Sequence, residues 1–168
     1  MSSEISRIVK LCLDVDTDAA AVYANFKEQY LGTAQGDFWR DREAEETAHI
    51  VFWTKLHSLT LDGLLPNVFS DAPTVLMSLE ETAGKVSLLA KRSLSVDKDT
   101  NIFLLAFRLE FYLLHPAFET LFVYCKDLEA FTELESPDEE YENHIEHFLD
   151  GLQKWGSVTP EMETMGEI

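Results

Sequence analysis

The sequence predicts an all-α fold: a four-helix bundle with a long crossover connection that carries an additional short helix. Three observations lead there. Apolar residues recur at spacings of three and four through long segments. Turn signals between those segments are sparse, with 7 Gly and 5 Pro in 168 residues. No segment alternates apolar and polar residues as a half-buried strand does, and no short repeat of fixed period is present. The length suits one domain, and a hydrophobic content of 46% is enough for a sizeable core. Residues 1–155 read as the bundle and residues 156–168 as a loose acidic tail.

The first helix is expected from Glu4 to Leu31, ending near Gly32, with the stripe Cys12, Ala19, Tyr23, Phe26, Tyr30. The second is expected to begin at Gly36–Asp37, an N-cap signal, and to reach Asp62–Gly63. Its stripe is Trp39, His49, Trp53, Leu56. Leu64 to Ala72 reads as a loop, with Pro66 and Pro73 as breakers. A shorter helix follows over Pro73–Leu89, with proline in its first turn. The polar stretch Lys91–Asp99 then leads into a helix over Thr100–Tyr124, which Pro116 should kink. Ser136-Pro137-Asp138-Glu139 marks a helix start, with Ser136 as N-cap, and that helix runs to Trp155. Helices of this size span roughly 30–42 Å.

Charge narrows the function classes. Lys and Arg number 13 against 31 Asp and Glu, a formal net charge of −18. Such a field repels phosphate, which disfavours nucleic acids and anionic membrane surfaces and favours cations as ligands. The 2 cysteines, Cys12 and Cys125, make no CxxC pair and no disulfide framework. They read as buried apolar residues. Residues 1–10 are polar and carry no secretory h-region. The apolar segment Ile102–Cys125 contains Arg108, Glu110, His115, Pro116 and Glu119. Each charge at a bilayer centre costs about 2.5–3.5 kcal/mol, so a buried helix of a cytoplasmic protein is the expectation.

Polar residues interrupt the apolar stripes. The second helix carries Trp39, Arg42, Glu46, His49, Trp53, Leu56 along one line, with Glu46 and His49 at i and i+3. Glu110 sits among Phe103, Ala106, Leu113 and Ala117. Asp16 fits the stripe of the first helix, and His144 that of the last, with Tyr141 one turn earlier. Buried carboxylates are costly unless paired, protonated or metal-bound. A divalent cation or two on the bundle axis resolves the conflict. The plainer readings are a solvated face for Glu46 and His49, a charged face shared with Asp14 and Asp18 for Asp16, and a salt bridge from Glu110 to Arg108 or Arg42. For His144 and Tyr141 the plainer reading is core packing. His57 and His147 lie off the best faces, and His115 serves the Pro116 kink.

The pattern resembles the ferritin-like superfamily, in particular the di-iron carboxylate bundles of the rubrerythrin and bacterioferritin type. In that family two helices each give a carboxylate and two give an Exx-H pair. Asp16 in DVDTDAAAVYANF stands at the first-helix carboxylate, and Glu46 and His49 in EAEETAHIVFW match the second-helix pair. Glu110 in LLAFRLEFYLL looks like the third-helix glutamate, and His144 in DEEYENHIEHFLDGL like the last-helix histidine. The resemblance covers residues 8–155 and implies a metal set of Asp16, Glu46, His49, Glu110, Tyr141 and His144. It implies two iron ions, with manganese the second choice, and a ferroxidase or peroxide-reducing activity. The sequence departs from the family in two places. Asp16 is one methylene shorter than glutamate, and Tyr141 stands where the last helix has its glutamate. Tyr141 binds a ferric ion as phenolate, or Glu140 reaches in, or His147 adds a nitrogen, or one metal position stays empty.

Two functions compete at this point. One is a di-iron or di-manganese redox protein reacting with O2 or peroxide, a homodimer served by a separate electron-donor protein because no rubredoxin-type CxxC exists in the chain. Tyr23, Trp39, Trp53 and Tyr141 then relay electrons or simply fill the core. The other is a non-catalytic bundle with a degenerate site, acting as an interaction or dimerisation module. Storage of iron in a hollow shell is a further variant that requires a large oligomer.

Overall fold

The computed structural model describes residues 3–96, 101–126, 128 and 137–155, and of residues 137–144 the helical backbone alone. Among the described residues there are six helices and no strand. They are α1 (Glu4–Gln29), α2 (Ala34–Leu61), α3 (Ala72–Ser93), α4 (Ile102–Leu113), α5 (Pro116–Cys125) and α6 (Pro137–Trp155). No helix among the described residues is long and apolar enough to cross a membrane. Ser136 and the tail 156–168 lie outside the described residues.

Local chemistry accounts for each boundary. Ser3 caps α1 by accepting the Ser6 N–H at 3.3 Å. Gly32, at φ +78°, turns the chain after α1 in a conformation that side chains resist. The cap of α2 is Thr33, whose hydroxyl accepts the Gly36 N–H at 3.1 Å, and not the expected Gly36–Asp37. Gly36 lies inside the first turn for a packing reason: a Cβ there would stand 2.2 Å from the Tyr30 carbonyl oxygen. Asp71 caps α3, with proline in the first turn and Lys91 and Arg92 in the last. This helix runs to Ser93, beyond the expected Leu89, so it is no short insert. Asn101 caps α4 by accepting the Leu104 N–H at 3.1 Å.

The expected kink at Pro116 is a complete break. Pro116 has no N–H to continue the helix, and its ring pushes the residue before it into extended backbone. His115 adopts φ −61° and ψ 131°, and its Nδ1 accepts the Ala117 N–H at 3.2 Å. The same ring meets the Ser78 hydroxyl through Nε2 at 3.0 Å. His115 thus serves the interruption as its N-cap.

Side-chain pairings give the helix directions. Tyr23 meets Trp39 and Ser6 meets His57, so α1 and α2 run antiparallel. Arg7 meets Glu80 and Asn25 meets Ser93, so α3 runs parallel to α1 and returns the chain along its length. Ser78 to His115 and Lys85 to Tyr112 set α4 and α5 antiparallel to α3. Trp39 to Phe103 and Trp53 to Phe118 set the same pair parallel to α2. Phe38 to Trp155 and Glu45 to His147 set α6 antiparallel to α2. The contiguous core is drawn from all six helices.

Two substitutions check this account. Gly36→Ala forces the α1–α2 turn apart and should cost about 1–3 kcal/mol in urea unfolding. Burial lowers the His115 imidazole below its ordinary value of 6.5. The neutral ring is the one that accepts the Ala117 N–H. Its contribution is therefore present above pH 6.5 and is lost as pH falls through the lowered value. Unfolding curves at pH 7 and pH 5 should show that loss in the wild type, and His115→Asn, which keeps a capping side chain, should remove the His115 component.

Candidate metal centre

The inward stripe of α2 reads Trp39, Arg42, Glu46, His49, Trp53, with all but the partly exposed His49 buried. The helix divides poorly into apolar and polar faces because charged residues occupy its inner one. Antiparallel packing of α1 sets Tyr23 against Trp39 and Asp16 against Trp53. The result is a polar layer between two aromatic ones. Trp39 packs on Tyr23, Phe26, Phe38 and Phe103, with ring centroids 4.7–5.8 Å apart. Trp53 packs on Phe52, Phe118 and Phe122 at 4.8–5.4 Å. At about 1.5 Å per residue the two indoles lie about 21 Å apart along α2.

Asp16, Glu46 and His49 come together in this layer, each offering a ligand atom within 4.8 Å of the others. The His49 Nδ1 lies 3.2 Å from Glu46 Oε2 and 3.9 Å from Asp16 Oδ2. The Trp53 indole N–H donates to Asp16 Oδ2 at 2.5 Å and so orients the carboxylate. Asp16 is 1% exposed and Glu46 0%, whereas the His49 side chain is 12% exposed and marks the side nearest solvent. Two ligands each about 2.2 Å from one ion stand at most about 4.4 Å apart. The observed spread is within a few tenths of that limit, so a small closure brings all three donors onto one cation.

Glu110 enters from α4 and accepts a hydrogen bond from the Tyr23 hydroxyl. Burial holds the Tyr23 phenol well above its ordinary range, and the charges of Glu110 and then Glu46 add to that, while Arg42 opposes it. Tyr23 therefore stays protonated and acts as a donor. Arg42, 2% exposed, bonds Glu45 at its outer edge, and its guanidinium lies 5.7 Å from the Phe38 ring centre. Burial, with the charge of Asp16 second, holds the Cys12 thiol well above its ordinary range, so it is not a thiolate ligand. Burial pushes Cys125 up to about 12.

Of the residues singled out in the sequence, Asp16, Glu46 and His49 form one group, and Glu110 lies beside it through Tyr23. The solvated-face reading of Glu46 does not hold, because the residue is buried. The side chains of Tyr141, His144 and Glu140 lie outside the described residues. His147 faces Glu45 at 3.5 Å from an exposed position, and His57 faces Ser6, so neither joins the group. Sequence reasoning missed the hydrogen-bonding roles of Tyr23 and Trp53. Their signal was position: each lies on the inward stripe of its own helix together with a buried acid, Tyr23 with Asp16 and Trp53 with Glu46. Comparison with protein-family models, curated proteins and solved structures gave no match.

Tyr23→Phe removes the hydroxyl that Glu110 accepts from while keeping the ring packed on Trp39. Metal-free protein carrying it should lose about 1–3 kcal/mol in denaturant unfolding.

Proposed function

We propose that this chain is a metal-binding helical bundle of the ferritin-like type, with Asp16, Glu46 and His49 as ligands of a redox metal. The single observation that carries the reading is their convergence from α1 and α2 in the core, at a spacing that one cation closes. In this reading α1, α2, α4 continued by α5, and α6 are the four bundle helices. The full-length return of α3 beside α1 serves as the crossover, and it supports the parallel course of α2 and α4–α5.

Imidazole with carboxylates suits iron first and manganese second, and no thiolate is present to select copper. When bound, such a metal supplies the electrons for reduction of O2 or peroxide. The chain's own residues bind and orient. Trp53 fixes Asp16, Glu46 carries the central carboxylate, and Tyr23 holds Glu110 and keeps its own proton. The aromatic layers on either side exclude water. The reading carries with it a separate electron-donor protein, a homodimer and a cytoplasmic setting.

A second reading has an observation of its own. The polar groups already engage one another, Trp53 with Asp16, His49 with Glu46 and Tyr23 with Glu110. That supports a satisfied polar core in a non-catalytic interaction module. Metal analysis separates the two. Protein purified without chelator should contain bound iron or manganese, and His49→Ala or Asp16→Asn should lose it while far-UV circular dichroism is unchanged. Wild-type protein that remains metal-free after anaerobic Fe(II) addition, with unchanged melting, leaves the second reading standing. Affinity should also fall as pH drops through the imidazole range near about 6.5.

A further inference from the structure

The helix α4 is apolar on both sides. Its charged residues are Arg108 and Glu110, and Glu110 is buried inward. Leu105, Leu109 and Leu113 line the inner side and are buried. Leu104, Phe107, Phe111 and the C-cap Leu114 fall at i, i+3, i+7 and i+10 on the opposite side. Of these, Leu104 and Phe107 are partly exposed, and Phe111 and Leu114 exposed. A helix that is apolar all round is one enclosed on all sides. The seam between α3 and α4 continues the same surface. The Ser78 hydroxyl meets the His115 ring at 3.0 Å, and the residues just before these two are Met77 and Leu114. Lys85 lies 5.7 Å from the Tyr112 ring centre, with Leu88 one turn from Lys85 and Phe111 next to Tyr112. Met77 is 66% and Leu88 65% exposed. Each seam contact thus has an exposed apolar residue from either helix beside it.

We infer that the outer face of α3 and α4 is an interface occupied by a second copy of this chain, packed seam to seam about a two-fold axis. The inference rests on the homodimer of the reading above and is independent of the metal. Charge selects the occupant. The chain has 31 acids against 13 bases, so two copies repel over most of their surface. The seam differs. Its charged residues are Glu81, Lys85 and Arg92 on α3, Arg108 on α4 and Glu119 in the first turn of α5, two acids with three bases. A two-fold contact sets one patch against itself, so a charged patch of this kind needs both signs. A face built for a strongly acidic or basic partner carries one sign. The size also fits. At about 1.5 Å per residue α3 spans roughly 33 Å, and two helices packed 8–10 Å apart give a face of roughly 600 Å² in projection. That is close to the about 800 Å² that each partner buries in a standard interface.

Sedimentation velocity on the metal-free full chain tests this. The wild type should sediment as a dimer at micromolar concentration. Phe111→Glu and Leu88→Glu each bring one carboxylate per copy into the apolar contact. Either should raise the dissociation constant about a hundredfold or more and leave monomer, with far-UV circular dichroism unchanged. Val51→Glu changes an exposed apolar residue on α2, away from the seam, and should leave the dimer intact. Where Phe111→Glu does not fold, Leu88→Glu decides, because that side chain is the more exposed of the two. A monomeric wild type overturns the inference and gives the face to a partner of another sequence. A dimer that persists in folded Leu88→Glu overturns it as well, and leaves the homodimer to another face. Metal content is measured on the same samples. A monomer that binds iron or manganese ends this inference alone, whereas a metal-free dimer split by the seam variants supports it even where the metal-binding reading fails.

Discussion

The cost of placing carboxylates in a dry core governs this molecule. Asp16, Glu46 and Glu110 are each at most 4% exposed. An isolated carboxylate in such surroundings is worse by several kcal/mol than one in water. Each acid therefore comes with a hydrogen-bonding partner. The indole N–H of Trp53 serves Asp16, the His49 ring serves Glu46, and the Tyr23 hydroxyl serves Glu110. These donors come from α1 and α2, so the register of that antiparallel pair is set by polar groups as much as by apolar packing. A slip of one turn between the two helices breaks the Trp53–Asp16 bond and parts Asp16 from His49.

The aromatic layers gain meaning from the same constraint. Electrostatic interactions strengthen as water is excluded, whether they are attractive or repulsive. Trp39 and Trp53, both fully buried, seal the polar layer along the helix axis. They make the hydrogen bonds inside stronger, and they also make any missing positive charge more costly. The buried Arg42 guanidinium is the one permanent positive charge among the buried side chains of the described residues.

Much of this was legible in the sequence, for identifiable reasons. Helical periodicity survived in α1, α3 and α6 because their faces divide cleanly. The polar interruptions of α2 announced themselves because Arg42, Glu46 and His49 fall between two tryptophans on one line. What could not be read depends on contact across chain distance. Thr33 displaced Gly36–Asp37 as the cap because the Tyr30 carbonyl packs against Gly36, a fact of the turn and not of the cap signal. The break before Pro116 was legible as an interruption. Its completeness depends on His115 capping the next helix and meeting Ser78 on α3. The α3 helix looked short because the polar run after Leu89 conceals that Ser93 is buried and bonded to Asn25. The pairing of Tyr23 with Glu110 spans most of the chain, and no local pattern encodes it.

The course of the chain also bears on how the molecule is made. The first three helices are sequential neighbours in contact, α1 with α2 and α3, and a nascent chain acquires them before α4 emerges. Asp16 and Glu46 thus lie on two helices that pack on each other without any residue of α4. Arg42 is carried on the same helix as Glu46 and pairs with Glu45. Docking of α4 then adds Glu110 to a pair of helices that already carries Asp16, Glu46 and the Arg42 guanidinium.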